Sequence, residues 1–269
     1  MLLACIACAS GQSAPKTPKD WAKFGRYERA NADLKSRGRR PDAVFMGNSI
    51  TDNWAKFDSL FFARNNFVGR GISGQTSSQM LVRFRRDVLD LRPRAVVIMA
   101  GTNDIAQNNG AISHENILGN IASMCELAKA HRIKVILCSV PPAAEFRWRR
   151  EMRPAQAIAE LNAMLREYAA GEGIYWLDYH SALADERGGM PRKWCADGVH
   201  PNMRCYAEIF EPMVLKAVNR VLRTKHDYVS PPPDLFDKPS AEPNMFGLCR
   251  GGKRCKKLNN KHTPTSFEI

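Results

Sequence analysis

Five short apolar runs recur through the middle of the chain, separated by longer stretches in which apolar residues return every three or four positions. The runs are Ala43 to Met46, Phe67 to Gly71, Ala95 to Ala100, Val135 to Cys138 and Ile174 to Leu177. Short runs of this kind, bounded by turn residues, predict strands buried on both faces. Between them the helical period dominates, over Ser77 to Leu91, Ser113 to His131 and Pro154 to Ala170, with a last helix near Asn202 to Arg223. Ile117, Ile121, Met124 and Leu127 return at spacings of four and three, and Ser113 stands where its hydroxyl can cap the first turn. Leu161, Leu165 and Tyr168 repeat that pattern behind Pro154, which has no amide hydrogen to lose in a first turn. Ahead of the first strand, Trp21, Phe24, Tyr27 and Leu34 predict a helix over Trp21 to Arg37, with Gly38 just beyond its end.

Apolar strands that alternate with helices require crossover connections, and these cover both faces of a parallel sheet. The predicted fold class is therefore α/β, a three-layer α/β/α sandwich on a five-stranded parallel sheet.

The chemically distinctive residues stand just past the ends of these strands. Gly47-Asn48-Ser49-Ile50-Thr51 follows the first, Gly71-Ile72-Ser73-Gly74-Gln75-Thr76 the second and Gly101-Thr102-Asn103-Asp104 the third. Asp197-Gly198-Val199-His200-Pro201-Asn202 comes after the fifth, directly before the last helix. Parallel strands finish on one edge, so these distant segments converge on a single crevice. A serine hydroxyl needs a neighbouring base to accept its proton, which His200 can supply to Ser49 while Asp197 holds the far imidazole nitrogen. Attack on an ester carbonyl places charge on its oxygen, and the backbone amides of Ser49 and Gly74 with the side-chain amide of Asn103 are candidate donors. Each segment alone is ordinary turn chemistry; their order and placement together point to acyl transfer. Neither metal nor cofactor is needed for it.

Three further residues are candidate substrate contacts. Arg147 and Trp148 follow the fourth strand after Pro141-Pro142, where they either overhang the site to meet an anionic or sugar substrate or form a solvated loop. Trp194 is a stacking platform for a sugar or a packing residue.

The four blocks, Gly47-Asn48-Ser49-Ile50, Gly74, Gly101-Thr102-Asn103-Asp104 and Asp197-Gly198-Val199-His200-Pro201, resemble in order those of the SGNH hydrolases, or GDSL esterases. The resemblance spans roughly residues 41 to 223 and is nearest to the acetylesterase and platelet-activating-factor-acetylhydrolase-like branch. It implies a flavodoxin-like sandwich, Ser49 as nucleophile, His200 as base, Asp197 as third triad member, and Gly74 and Asn103 in the oxyanion hole. Asn48 stands where the family name has aspartate, which bears on the hydrogen bonding of the loop and not on the triad. By analogy with the family, the expected activity is hydrolysis of small acyl esters, acetyl groups on carbohydrate foremost. Short-chain lipid or lysophospholipid esters are the alternative within the class, and a catalytically silent glycan-binding protein the alternative outside it.

Length and charge refine this picture. At 269 residues, 44% of them hydrophobic, the chain suits one substantial core. Its net charge of +13 could suggest nucleic acid, but residues 16–40 carry +6 and residues 224–269 carry +3, leaving +4 for residues 41–223. The excess thus lies on either side of the stretch that carries the four blocks instead of lining a groove, and no nucleic-acid partner is expected. The opening Met1-Leu2-Leu3-Ala4-Cys5-Ile6-Ala7-Cys8-Ala9-Ser10-Gly11 resembles the end of an export signal, and Leu3-Ala4-Cys5 a lipoprotein processing site. The expectation is a secreted or periplasmic protein, or a lipid-anchored one, with a leader over residues 1–15, a catalytic domain over 16–223 and a flexible basic extension over 224–269. No other run approaches the ~20 apolar residues of a spanning helix. Cys125 and Cys138 read as buried thiols; Cys195 and Cys205 bracket the Asp197 to His200 segment and either bridge it or stay unpaired.

Overall fold

A computed structural model of the chain describes residues 20–229, so the expected leader and all but the first residues of the expected extension lie outside the described residues. Strands β1 (Ala43–Gly47), β2 (Phe67–Gly71), β3 (Ala95–Met99), β4 (Lys134–Cys138) and β5 (Tyr175–Leu177) form one sheet in the order β2-β1-β3-β4-β5, every pair parallel. Each strand lies within a residue of the run that predicts it. In the helical layers, in chain order, are α1 (Glu28–Ser36), α2 (Ser49–Phe57), α3 (Ser59–Arg64), α4 (Ser77–Asp87), α5 (Thr102–Ile105), α6 (His114–Ala130), α7 (Pro154–Gly171) and α8 (Tyr179–Leu183). Last come α9 (Met203–Cys205) and α10 (Glu211–Leu222), joined through a π-helical turn at Tyr206–Phe210.

Alternation along the strands sorts the core into two layers. Val44, Met46, Val96 and Ile98 pack with Met80 and Phe84 of α4, Ile117 and Ile121 of α6, and Leu161 and Leu165 of α7. Ala43, Phe45, Ala95 and Val97 face the other way, onto Ile50 and Trp54 of α2, Phe61 and Phe62 of α3, and Val214 and Leu215 of α10. The period of two in the strands is what lets five short runs supply both layers. At the centre of the second layer Trp54 stacks on Phe61 and Tyr206 and meets Phe45, Phe62 and Phe210 edge-on.

Several elements depart from the periodic pattern, each for a local reason. The predicted first helix begins only at Glu28, after a 3-10 turn at Phe24–Tyr27, because Lys23 takes a left-handed backbone (φ 55°) and the Asp20 carboxylate accepts from Gly25 N. The stretch from Ser77 leaves the α-helix at Asp87 and closes in a 3-10 turn at Leu89–Leu91. Helices α2, α3 and α8 occupy segments whose polar residues suggest turns, yet those residues are caps. Asn48 accepts from Ile50 N, Asp58 from Phe61 N and Asp178 from Ser181 N.

The alternatives for Cys195 and Cys205 are decided here. Cys195 and Cys205 are both buried free thiols, so no disulfide braces the loop between them. Beyond α10, Thr224 N donates to Asn219 O, His226 N to Asn219 Oδ1 and Tyr228 OH to Ala207 O. Among the described residues no helix is long and apolar enough to cross a membrane.

Candidate active site

The strand order reverses direction at β1, and that is where an open α/β sheet leaves a crevice beyond its carboxyl edge. The register sets Gly47 beside both Gly71 and Met99, so the segments leaving β1, β2 and β3 start level with one another. Close approach at this edge constrains the sequence. A Cβ on Gly71 would lie 2.2 Å from Asp52 N and 2.7 Å from Asn48 O, inside the first turn of α2. No larger residue fits there.

Ser49 is the first residue of α2, with Asn48 as its cap, and its side chain is nearly buried at 7% exposure. Asn48 thus does the capping work that an aspartate could also do, which accounts for the departure from the family name without touching the chemistry. Ser49 Oγ lies 2.8 Å from His200 Nε2, although 151 positions separate the two along the chain. His200 Nδ1 in turn lies 2.6 Å from Asp197 Oδ2. A carboxylate can only accept, so Nδ1 carries the hydrogen and the Nε2 lone pair faces the serine hydroxyl.

Asp197 is locked from its other side as well. Its Oδ1 accepts from the backbone N–H groups of Val199 (2.9 Å) and His200 (2.8 Å). Burial by itself would raise this carboxyl, but the hydrogen bond and charge of His200, with the two amides, hold it down at about 2. It stays ionised wherever the imidazole could use it.

Across the crevice, the Asn103 side chain is held at both ends. Its Nδ2 donates to Gln75 O and its Oδ1 accepts from Asn108 Nδ2, each at 2.9 Å. One Nδ2–H remains for a developing oxyanion. Gly74 sits beside it in the left-handed region (φ 82°), and an added Cβ would meet nothing within 4 Å. The glycine is needed there for its backbone conformation and not for space.

Residues that the sequence reading passes over hold this arrangement. Arg83, fully buried on α4, donates to Gln75 Oε1 (2.6 Å), Asp87 Oδ2 (2.8 Å), Arg70 O (2.9 Å) and Gly47 O (3.2 Å). It therefore ties the residue before Asn48 to the loop that carries Gly74. Gln75 is fixed further by donating to Ala22 O, which brings the N-terminal segment into the support. Asp104 accepts from both the backbone N and the hydroxyl of Ser77, joining the β3 loop to the start of α4. The one available signal was an arginine with aspartate four positions on, set on the apolar face of α4 between Met80, Phe84 and Asp87.

The three expected substrate contacts separate. Arg147 is exposed and donates to Ala196 O at 2.6 Å, beside Asp197. Trp148 stacks on Phe146 and donates Nε1 to Asn108 Oδ1 (3.2 Å), one step behind Asn103. Trp194 packs half-buried against the α10 layer under the Lys193 ammonium, 4.9 Å from its ring.

Residues 45–208 match the model of the GDSL-like lipase/acylhydrolase family. The chain belongs to that family and is a hydrolase of ester bonds. Among solved structures, a Bacteroides fragilis protein with a provisional acylhydrolase assignment is 46% identical, superposes with a TM-score of 0.73, and is covered along 100% of its length by 77% of this chain. A GDSL-like lipase from Bacteroides thetaiotaomicron is also 46% identical, with a TM-score of 0.70 and coverage of 74% of this chain and 98% of that one. An uncharacterized lipoprotein of Bacillus subtilis, YqeF, is 28% identical over 132 residues, which are 48% of this chain and 45% of that relative. The match thus spans less than half of YqeF.

Proposed function

We propose that the protein hydrolyses small acyl esters, acetyl foremost, through an acyl-serine intermediate on Ser49, and that its natural esters are O-acetyl groups on carbohydrate. The observation that carries this reading is the continuous chain from Ser49 Oγ through His200 to Asp197, with contacts of 2.8 and 2.6 Å.

In this mechanism His200 Nε2 takes the hydroxyl proton as Ser49 Oγ forms a bond to the carbonyl carbon. The carbonyl oxygen becomes an oxyanion, met by the amides of Ser49 and Gly74 and the free Nδ2–H of Asn103. The imidazolium, stabilised by Asp197, then passes its proton to the alcohol oxygen as the ester bond breaks. Water repeats the sequence on the acyl-serine, releasing the acid and restoring the hydroxyl. The serine proton leaves on the alcohol and a proton of the water replaces it, so Ser49 and His200 end as they began.

Arg147 and Trp148, at the edge of this crevice, are the proposed contacts of the alcohol half; the packed position of Trp194 favours a supporting role. Export, to the cell surface or beyond, is supported by the apolar opening of the chain and by the lipoprotein relative.

The test compares 4-nitrophenyl esters of increasing acyl length and measures acetate released from acetylated glycans. The expected result is highest kcat/KM for acetyl, release from glycan, and loss of both in Ser49→Ala. A preference rising steadily with acyl length would overturn the acetyl reading in favour of a lipid acylhydrolase.

A further inference from the structure

A cavity of about 330 Å³ is lined by Cys195, Ala196, Asp197 and Gly198, the residues that lead into His200. Its wall carries Arg147 and Arg153 from the β4–α7 connection, Arg187 and Arg192 from the segment between α8 and α9, and the carboxylates Glu145 and Asp197. Four arginines from two separate parts of the chain therefore line one hollow. We propose that it binds an anionic group, carboxylate or phosphate, carried on the alcohol half of the ester; this rests on the esterase reading above.

Against the four arginines stand Glu145 and Asp197 in the wall and Asp185 beside Arg187, which leaves a net charge of +1. Both oxygens of Asp197 are taken, by His200 Nδ1 and by two backbone amides. Arg147 donates to Ala196 O, and Arg153 to the carbonyls of Arg150 and Met152. Those contacts aim the side chains without neutralising them. Arg187 has Asp185 at 3.5 Å. Each guanidinium has five N–H donors in a planar fork, so several remain for an oxyanion, which such forks recognise in bidentate fashion. The residual positive charge favours an anion over a neutral group in the hollow. The chain's general basicity does not explain the cluster, because residues 41–223 carry only +4 of the total +13.

Position identifies which half of the substrate enters. In acyl transfer the imidazolium delivers its proton to the leaving alcohol, so that half sits on the His200 side of the reacting carbon. The cavity is lined by Asp197, the partner of His200, and by Gly198, two residues before it, so it adjoins that side of the site.

Two matched pairs of esters test the proposal. Mono-O-acetyl glucuronic acid and mono-O-acetyl glucose differ by one carboxylate; a short-chain phosphatidylglycerol and its diacylglycerol differ by a phosphodiester. We expect kcat/KM for the charged member of at least one pair to exceed that of its neutral partner by about tenfold or more. That ratio should fall as salt rises from about 50 to about 500 mM, and approach unity in Arg153→Gln/Arg192→Gln, whose fold is checked by circular dichroism. Preference confined to the first pair assigns a carboxylate, and to the second a phosphate. Equal rates within both pairs, with 4-nitrophenyl acetate still hydrolysed, overturn the proposal and leave the esterase standing. Absence of turnover on every ester overturns the esterase reading and the proposal with it.

Discussion

Asn108 donates its side-chain amide to Asn103 Oδ1 at 2.9 Å, and this contact fixes which end of the Asn103 amide faces Gln75 O and the crevice. Asn108 also accepts from Trp148 Nε1, so the loop after β4 bears on the proposed oxyanion donor through one intermediary.

Asn108 is accordingly a positioning residue. Asn103→Ala should lower kcat by ~10² to 10³, the usual consequence of deleting an oxyanion donor. Asn108→Ala keeps the donor but frees its rotation, and should lower kcat by roughly tenfold with KM little changed. Steady-state kinetics on 4-nitrophenyl acetate separate the two parameters. An effect confined to KM would contradict the assignment.

Arg83 joins the support of the crevice to the stability of the whole domain. Burial disfavours its charge, the Asp87 carboxylate opposes that effect, and the pKa remains below the ordinary arginine value. Arg83→Met removes the buried cation bonded to Asp87 and the side-chain donor to the carbonyls of Gly47 and Arg70, leaving Gly47 O with Ile72 N alone and Asp87 with Asn31. Loss of one partner from a buried pair costs ~3 to 5 kcal/mol. Urea unfolding should show a loss of that size; a change within experimental error would mean that the network is dispensable.

Glu211 gives stability a pH dependence. It is 1% exposed, its Oε1 accepts from Trp54 Nε1 at 3.3 Å, and burial, helped by the Asp58 carboxylate, raises its pKa from 4.5 to about 7. The folded state thus binds a proton that the unfolded chain has released. This contribution is complete below pH 4.5 and is lost as the pH climbs to about 7. Its full size is on the order of 3 kcal/mol. Glu211→Gln keeps the acceptor for Trp54 without a charge, so the variant should match the natural protein near pH 4.5 and surpass it at pH 8. Parallel stability curves across that range would refute the assignment.

The sheet was legible in the sequence because each strand is an apolar run interrupted by glycine or charge at its end. Ala95 to Met99, buried throughout, could hardly be read otherwise. The candidate site residues stand out for a related reason: Ser49, Gly74 and Asn103 follow closely on the ends of β1, β2 and β3, His200 stands just before α9, and their types are unusual together. Caps were harder to see. Asn48 and Asp58 look like turn residues unless Ile50 and Trp54 are recognised as one face of a short helix. Least legible were Arg83, Gln75 and Asn108, whose importance comes from specific side-chain and carbonyl partners, several of them tens of residues away. A buried arginine bonded to Gly47 O leaves no periodic trace, and Trp148 reads as a surface ligand until its indole N–H is seen donating to Asn108.

The central claim is that Ser49 attacks with His200 as its base. Labelling with a fluorophosphonate, followed by peptide mass spectrometry, tests it most directly. We predict a single adduct on Ser49 in the natural protein, and labelling slowed by orders of magnitude in folded His200→Ala. An adduct on a different side chain, or undiminished labelling of Ser49 in His200→Ala, would contradict it.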